Sequence, residues 1–227
     1  MAPELVDEAL AGCGVRGWIG AWSARFMVYF TLALALFHSD SYDDVAENLV
    51  GALEPMGEAI PNTSNFTRAR VRLGPGVLEA VLRRLAGPLA PDGLAGSFWR
   101  GMRLAAVDGF VLDTPDTSAN RAFFGGPVDA RGKPAGFPQV RVVTLSECGT
   151  HASIDARVGC FNGGEPELAT VMAGSAGGML VMMDRAFPGV ELWKAYTVLG
   201  RIYCCGRARW WPAARSQCWR TGRIWPG

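Results

Sequence analysis

The sequence is poor in histidine and has no long apolar run. His38 and His151 are its only histidines, and neither has a Glu or a second His at helical spacing, which excludes a zinc protease. The longest apolar stretch, Phe26 to Phe37, is too short for a membrane span, which needs about 20 residues, and reads as a buried helix. At the acidic N-terminus, MAPELVDEALAG, no basic region precedes an apolar core, so no secretory signal is read there. Cys13, Cys148 and Cys160 have no repeated spacing, which fits reduced thiols in a cytoplasmic protein better than a disulfide framework. A phosphate-binding glycine loop is also missing, because GGPVDARGK has no Ser or Thr after Lys133 and does not lie between a strand and a helix.

What the 227 residues do contain is a large apolar fraction, 49%. That suffices for one large or two small folded domains and argues against intrinsic disorder. The charges nearly balance, 22 Lys and Arg against 21 Asp and Glu, but they are unevenly spread. Arg201 to Gly227 carries six Arg, no acid, three Cys (Cys204, Cys205, Cys218) and four of the eight Trp, so the first 200 residues are net acidic. The tail cysteines lack a fourth ligand at zinc-site spacing and are assigned no role.

Up to about Arg100 the sequence reads as helical. Positions 4–12 form an amphipathic segment, Trp22 to Phe37 an apolar helix, and Ser41 to Leu53 a third helix with Ser41 or Asp40 as its N-cap. A helix from about Asn65 to Leu73 ends at Gly74-Pro75-Gly76, and another runs from Val77 to Leu85. The segment TRARVRLG puts Arg68, Arg70 and Arg72 within five residues. Short helices, a tight turn and a basic second helix are the ingredients of a helix-turn-helix reader whose cations contact DNA phosphates. The plainer alternative is a solvated helix whose arginines pair with nearby Glu.

After Trp99 the pattern changes to strands. Met102 to Leu112 is a nearly continuous apolar run, as in a buried strand. Phe137 to Cys148 and His151 to Val158 alternate and read as a hairpin. A helix over Glu165 to Ala176, a buried strand over Met179 to Met183 and a helix over Val190 to Leu199 follow. This order predicts an α/β fold with a mixed sheet rather than a doubly wound parallel one.

Two carboxylates interrupt or end these apolar strands: Asp108 in LAAVDGF and Asp184 in MLVMMDRAF. An ionised group in such a place is either a hydrogen-bonded structural residue or a cation ligand, since burying it unpaired is costly. If the two strands are neighbours, both acids project from one end of the sheet and form a hard oxygen site for Mg²⁺ or Mn²⁺. Asp113 and Asp116 compete with Asp108, but Thr114-Pro115-Asp116-Thr117 has strong turn chemistry. An aspartyl-phosphate phosphatase is excluded, because its nucleophile would have to be Ala106.

Taken together, RFMVYFTLALALFHSDSYDDVAENL, NFTRARVRLGPGVL, LAAVDGFVLDTPDTSANRAFFGGP, GFPQVRVVTLSECGTHASIDA and LVMMDRAFPGVELWKA resemble the insertion element 4 family of bacterial transposases, over Arg25 to Ala195. These are enzymes of the DDE type with a ribonuclease H-like core. The resemblance implies a helical N-terminal, DNA-binding domain over residues 1–98 and a ribonuclease H-like mixed sheet, incomplete here, over 99–200. It also implies hydrolysis and strand transfer at DNA phosphodiesters, with two divalent ions about 4 Å apart held by three carboxylates. Asp108 matches the first carboxylate and Asp184 the second. Arg185 matches the residue after the second Asp, a phosphate contact, and Arg68, Arg70 and Arg72 become candidate contacts to transposon ends. The partners implied are DNA, as ends and target, and a second copy or an intact transposase, with no membrane.

The departure from the family lies in the third carboxylate, a Glu on a helix after a long insertion. Here only Glu191 follows Asp184, seven residues on, and no acid occurs from Arg201 onward. The expectation is therefore a chain truncated or frameshifted after about residue 200, with 201–227 an aberrant, disordered basic tail. Such a chain would be catalytically inactive, or a DNA-binding remnant that competes or pairs with an intact transposase.

Overall fold

Helical and strand-forming stretches separate along the chain as their periodicities predict. The computed structural model describes residues 1–19, 22–52, 65–184, 186–187, 189–199 and 201–204, in two units, Met1–Leu85 and Ala86–Gly227. The first is helical and the second is built on a mixed sheet.

The first unit contains α1 (Pro3–Gly12), a small ribbon of β1 (Trp18–Ile19) and β2 (Trp22–Ser23), then α2 (Ala24–Leu36), α3 (Tyr42–Ala52), α4 (Phe66–Leu73) and α5 (Pro75–Leu85). Trp22 belongs to the ribbon, so α2 starts at Ala24, where the Ser23 hydroxyl accepts the Phe26 N–H at 3.1 Å. At the start of α3 the Ser41 hydroxyl accepts the Asp44 N–H and the Asp44 carboxylate accepts the Ser41 N–H, at 3.2 and 3.3 Å. This reciprocal cap fixes the helix start at Tyr42.

The core of this unit is aromatic. Trp22 stacks on Phe26 and Phe66 with ring centroids 4.6 and 4.4 Å apart, Phe66 stacks on Phe30 at 4.0 Å, and Tyr42 meets Phe30 edge-on. Phe66, Ala69 and Leu73 form the buried stripe of α4, so its arginines are left to solvent.

In the second unit β3 (Phe98–Trp99) turns through Arg100 and Gly101, both at positive φ, into the long β4 (Met102–Asp113). Two positive φ values in succession are what a type I′ hairpin turn requires. After α6 (Ser118–Phe124) come β5 (Gln139–Glu147) and β6 (Ser153–Cys160), which continue the sheet antiparallel. Then α7 (Glu165–Val171), a 3-10 turn at Ala173–Ala176, β7 (Met179–Met183), α8 (Val190–Leu199) and β8 (Arg201–Cys204) follow. The sheet order is β6-β5-β4-β7-β8, with β7 parallel to β4 and β8 parallel to β7.

Two stretches add to or differ from the sequence reading. The loop read at 114–117 from its turn chemistry is present, and α6 begins directly after it, where Thr117 caps the helix by accepting the Asn120 N–H. Arg201–Cys204, grouped above with the tail, form β8; positions 205–227 lie outside the described residues.

One face of the sheet is covered. Ala105, Val107, Val143, Leu145, Val181 and Met183 share a core with Ala169, Met172, Leu192 and Tyr196 of the helices. The pleat turns alternate residues to the other face, where Phe110, Leu112 and Val158 remain exposed. α7 comes close to the sheet over two glycines: an added Cβ at Gly159 would lie 3.0 Å from Leu168, and one at Gly109 would lie 2.7 Å from Glu165.

Alternation also buries a charge. Glu147 ends β5 on the core face with no exposed surface. Its carboxylate accepts from Arg103, from the Thr150 hydroxyl, and from the amides of Leu89 and Ala90 at 3.1 and 2.8 Å. The last two bonds tie the chain after Leu85 to the sheet, so the second unit begins at Ala86 rather than near residue 99. Gly149 completes this clasp, since a Cβ there would stand 1.7 Å from the Ser97 hydroxyl.

Burial pushes the Glu147 carboxyl up, but the Thr150, Arg103, Ala90 and Leu89 donors outweigh it and hold the group below the usual carboxylate range. A depressed carboxylate contributes stability above its unfolded-state pKa of about 4.3, and that contribution is lost as pH falls through the folded value. Urea titrations at pH 7 should show Arg103→Ala destabilised by about 3–5 kcal/mol, the cost of an uncompensated buried charge. The advantage of the native chain over Glu147→Gln should shrink below about pH 4.

Candidate functional site

Two apolar strands bring Asp108 and Asp184 together. β4 and β7 run parallel and in register from Arg103↔Met179 to Val107↔Met183. Asp108 and Asp184 are the next residue on each, so they leave the ladder at one level on neighbouring strands, which in general lie about 4.8 Å apart. Val107 faces the core, so Asp108 projects to the face away from the helices. Both aspartates are exposed.

Each carboxylate is partly held by its own chain. Asp108 Oδ1 accepts the Gly109 N–H at 2.8 Å, and Asp184 Oδ1 accepts the Ala186 N–H at 2.7 Å. Among the described residues no cation pairs with either acid. The arrangement therefore offers two hard oxygen donors, oriented by local backbone bonds and open to solvent. That donor set suits Mg²⁺ or Mn²⁺. Among the described residues no three His, Cys, Asp or Glu side chains converge tightly enough to cage an ion.

The competing acids have other partners. Asp116 forms a two-pronged pair with Arg121 at 2.6 and 2.7 Å, and the hydrogen bond from Arg121 holds its carboxyl below the usual range. Asp113 accepts from the Gln139 amide at 2.8 Å. Glu191 pairs with Lys194 on the surface of α8. His38 Nδ1 lies 3.1 Å from the Ser39 hydroxyl, and Cys13, Cys148 and Cys160 are free thiols.

Residues 1–83 match the family model described as insertion element 4 transposase N-terminal, almost the whole of the first unit. That model describes the N-terminal part of such transposases, and the similarity to curated proteins extends further along the chain. It is 29% identical over 200 residues to the transposase InsG for insertion sequence element IS4 of Escherichia coli (strain K12), covering 87% of this chain and 45% of that one. It is 26% identical over 130 residues to the putative transposase InsZ of the same organism, covering 57% of this chain and 44% of that one. The chain thus spans less than half the length of these two relatives.

The basic helix α4 is less uniform than its sequence. Arg68, Arg70 and Arg72 are all exposed, and among the described residues none pairs with a carboxylate, against the plainer reading of a salt-bridged helix. Arg68 and Arg72 are four residues apart and share a face. Arg70 points elsewhere, donating to the Tyr42 hydroxyl and lying 5.9 Å from its ring centroid. Only Gly74, at φ 72°, separates α4 from α5; the turn before α4 lies outside the described residues, as does Arg185. No helix among the described residues is long and apolar enough to cross a membrane.

Sequence reasoning missed Glu165, Arg141 and Glu147. The alternation of QVRVVTLSE carried the signal for the last two, since odd positions from Gln139 to Glu147 include core-facing Val143 and Leu145. Because Asp108 and Asp184 are exposed and, among the described residues, hydrogen-bond to the neighbouring backbone, Asp108→Asn and Asp184→Asn should each change stability by at most about 1 kcal/mol. Thermal unfolding of the two variants checks this.

Proposed function

We propose that this chain is the DNA-handling part of a DDE-type DNA transposase, with Asp108 and Asp184 as metal-ligating catalytic residues on a ribonuclease H-like core. The observation that carries this reading is the parallel register of β4 and β7, which sets the two acids level at one end of the sheet. The mixed sheet and the insertion element 4 relatives support it.

In this reading Asp108 and Asp184 hold Mg²⁺ or Mn²⁺ through the carboxylate oxygens not engaged by their own backbone. A divalent ion held there would supply Lewis acidity, which favours activation of water and stabilises negative charge at a phosphate. The chain's own residues do the rest. The Gly109 and Ala186 amides orient the carboxylates. Arg68 and Arg72 hold the DNA backbone electrostatically, and Arg70 and Arg185 add further phosphate contacts.

The second reading is a non-catalytic DNA-binding remnant that occupies transposon ends or pairs with an intact transposase. It is favoured by the absence, among the described residues, of a third carboxylate near Asp108 and Asp184. A supercoiled-plasmid nicking assay with Mn²⁺ separates the two readings. Asp108- and Asp184-dependent nicking supports the first, and nicking untouched by either Asp→Ala change rejects the assignment. DNA binding without nicking supports the second.

The basic helix gives its own prediction. Removal of one phosphate contact by Arg68→Ala or Arg72→Ala should reduce the slope of log affinity against log salt by about 0.9. Arg70→Ala, whose guanidinium is already engaged by Tyr42, should change it less. Fluorescence anisotropy with duplex DNA over a salt series measures all three, and slopes unchanged in every variant would remove α4 from the interface.

A further inference from the structure

The Asp108–Gly109 step lies where β4 loses one of its neighbours. The β7 ladder stops at Val107↔Met183, whereas pairing with β5 continues through Asp108↔Thr144 and Gly109↔Val143 to Asp113↔Gln139. From Asp108 onward β4 is therefore held along one edge only. On its helix-side face at that point the nearest side chain is that of Glu165. An ideal Cβ on Gly109 would lie 2.7 Å from Glu165 Cδ, 3.0 Å from Cγ and 3.0 Å from Oε1. Glu165 thus lies flat on the backbone in the space where any other residue would place a side chain.

Glu165 is not free to swing away. Its carboxylate is paired with Arg141 of β5, each side chain only 19% exposed. Arg141 is anchored in turn: Nη2 donates to the Phe161 carbonyl at 3.1 Å and the guanidinium lies 5.8 Å from the Phe161 ring centroid. α7, which carries Glu165 as its first residue, is seated by Leu168 over Gly159. Strand, helix and loop together fix Glu165 against the first peptide of β4 beyond its pairing with β7.

We propose that Glu165, clamped by Arg141 and seated on Gly109, is a positioning residue for Asp108. It sets the height of the Asp108–Gly109 peptide from behind, so that the carboxylate on the opposite face stays level with Asp184. The proposal rests on reading Asp108 as a metal ligand. It accounts for the glycine after Asp108 by shape: a methyl group there would displace Glu165 from its place.

The test is Mn²⁺ binding to the full chain, followed by the loss of the free-ion signal in electron paramagnetic resonance, with thermal unfolding of each variant alongside. Glu165→Ala and Gly109→Ala should each weaken the Asp108-dependent binding about tenfold, the usual effect of disturbing a group behind a metal ligand. The double variant should be no weaker than either single one, because the added methyl acts only through Glu165. Glu165→Gln keeps the shape on Gly109 and an acceptor for Arg141 while losing the charge, and should bind within about threefold of the native chain. Equal losses in Glu165→Gln and Glu165→Ala would show a mere charge effect and overturn the proposal. So would native affinity in both Glu165→Ala and Gly109→Ala. If Glu165→Ala does not fold, Gly109→Ala against Glu165→Gln decides. Native binding that Asp108→Ala leaves unchanged would instead overturn the reading of the site itself, and this inference with it.

Discussion

The second unit is organised by the parallel pairing of β4 with β7. The two strands come from distant parts of the chain, and what joins them is backbone hydrogen bonding over five register pairs plus the shared core beneath. Core-facing Val107 and Met183 fix the phase of the pleat, and a slip of one residue would send every side chain to the wrong face. Asp108 and Asp184 depend on that phase. Their level placement comes from long-range packing and owes nothing to any contact between them.

Charge in this unit is handled in two ways. Glu147 is buried and meets four donors, two of them amides that bind the segment after Leu85. Such a group fixes geometry because nearly all its capacity is satisfied from fixed directions. Asp108 and Asp184 are exposed and retain oxygen capacity beyond their own backbone bonds. The first arrangement is a clasp. The second leaves ligating capacity available for a cation.

Much of this was legible in residue patterns. Apolar runs marked β4 and β7, with Asp108 inside the first and Asp184 just past the second, because hydrophobic periodicity is local, and capping residues placed α3 and α4 within a residue or two. The parallel register was not legible, since it is decided by helices packing across the sheet. The loop that Pro115 and Asp116 favour is present, and α6, which no residue pattern announced, begins directly after it at the Thr117 cap. Arg201–Cys204 gave no strand signal of their own amid the basic, Trp-rich tail; they pair because β7 has an open edge beside them. Glu165 was visible only as a helix start, and its seat on Gly109 joins residues 56 positions apart that no spacing rule connects.

The uncovered face of the sheet has an electrical consequence. Phe110 and Leu112 follow Asp108 along β4 on the same face, and Phe110, Val142 and Val158 form one row across three strands. While that row is wet, solvent screens the aspartate. Anything laid over the hydrocarbon would thin the water and lower the local permittivity, so the same negative charge would attract a cation more strongly. The wall beside the acid is thus a means of tuning its strength without touching it.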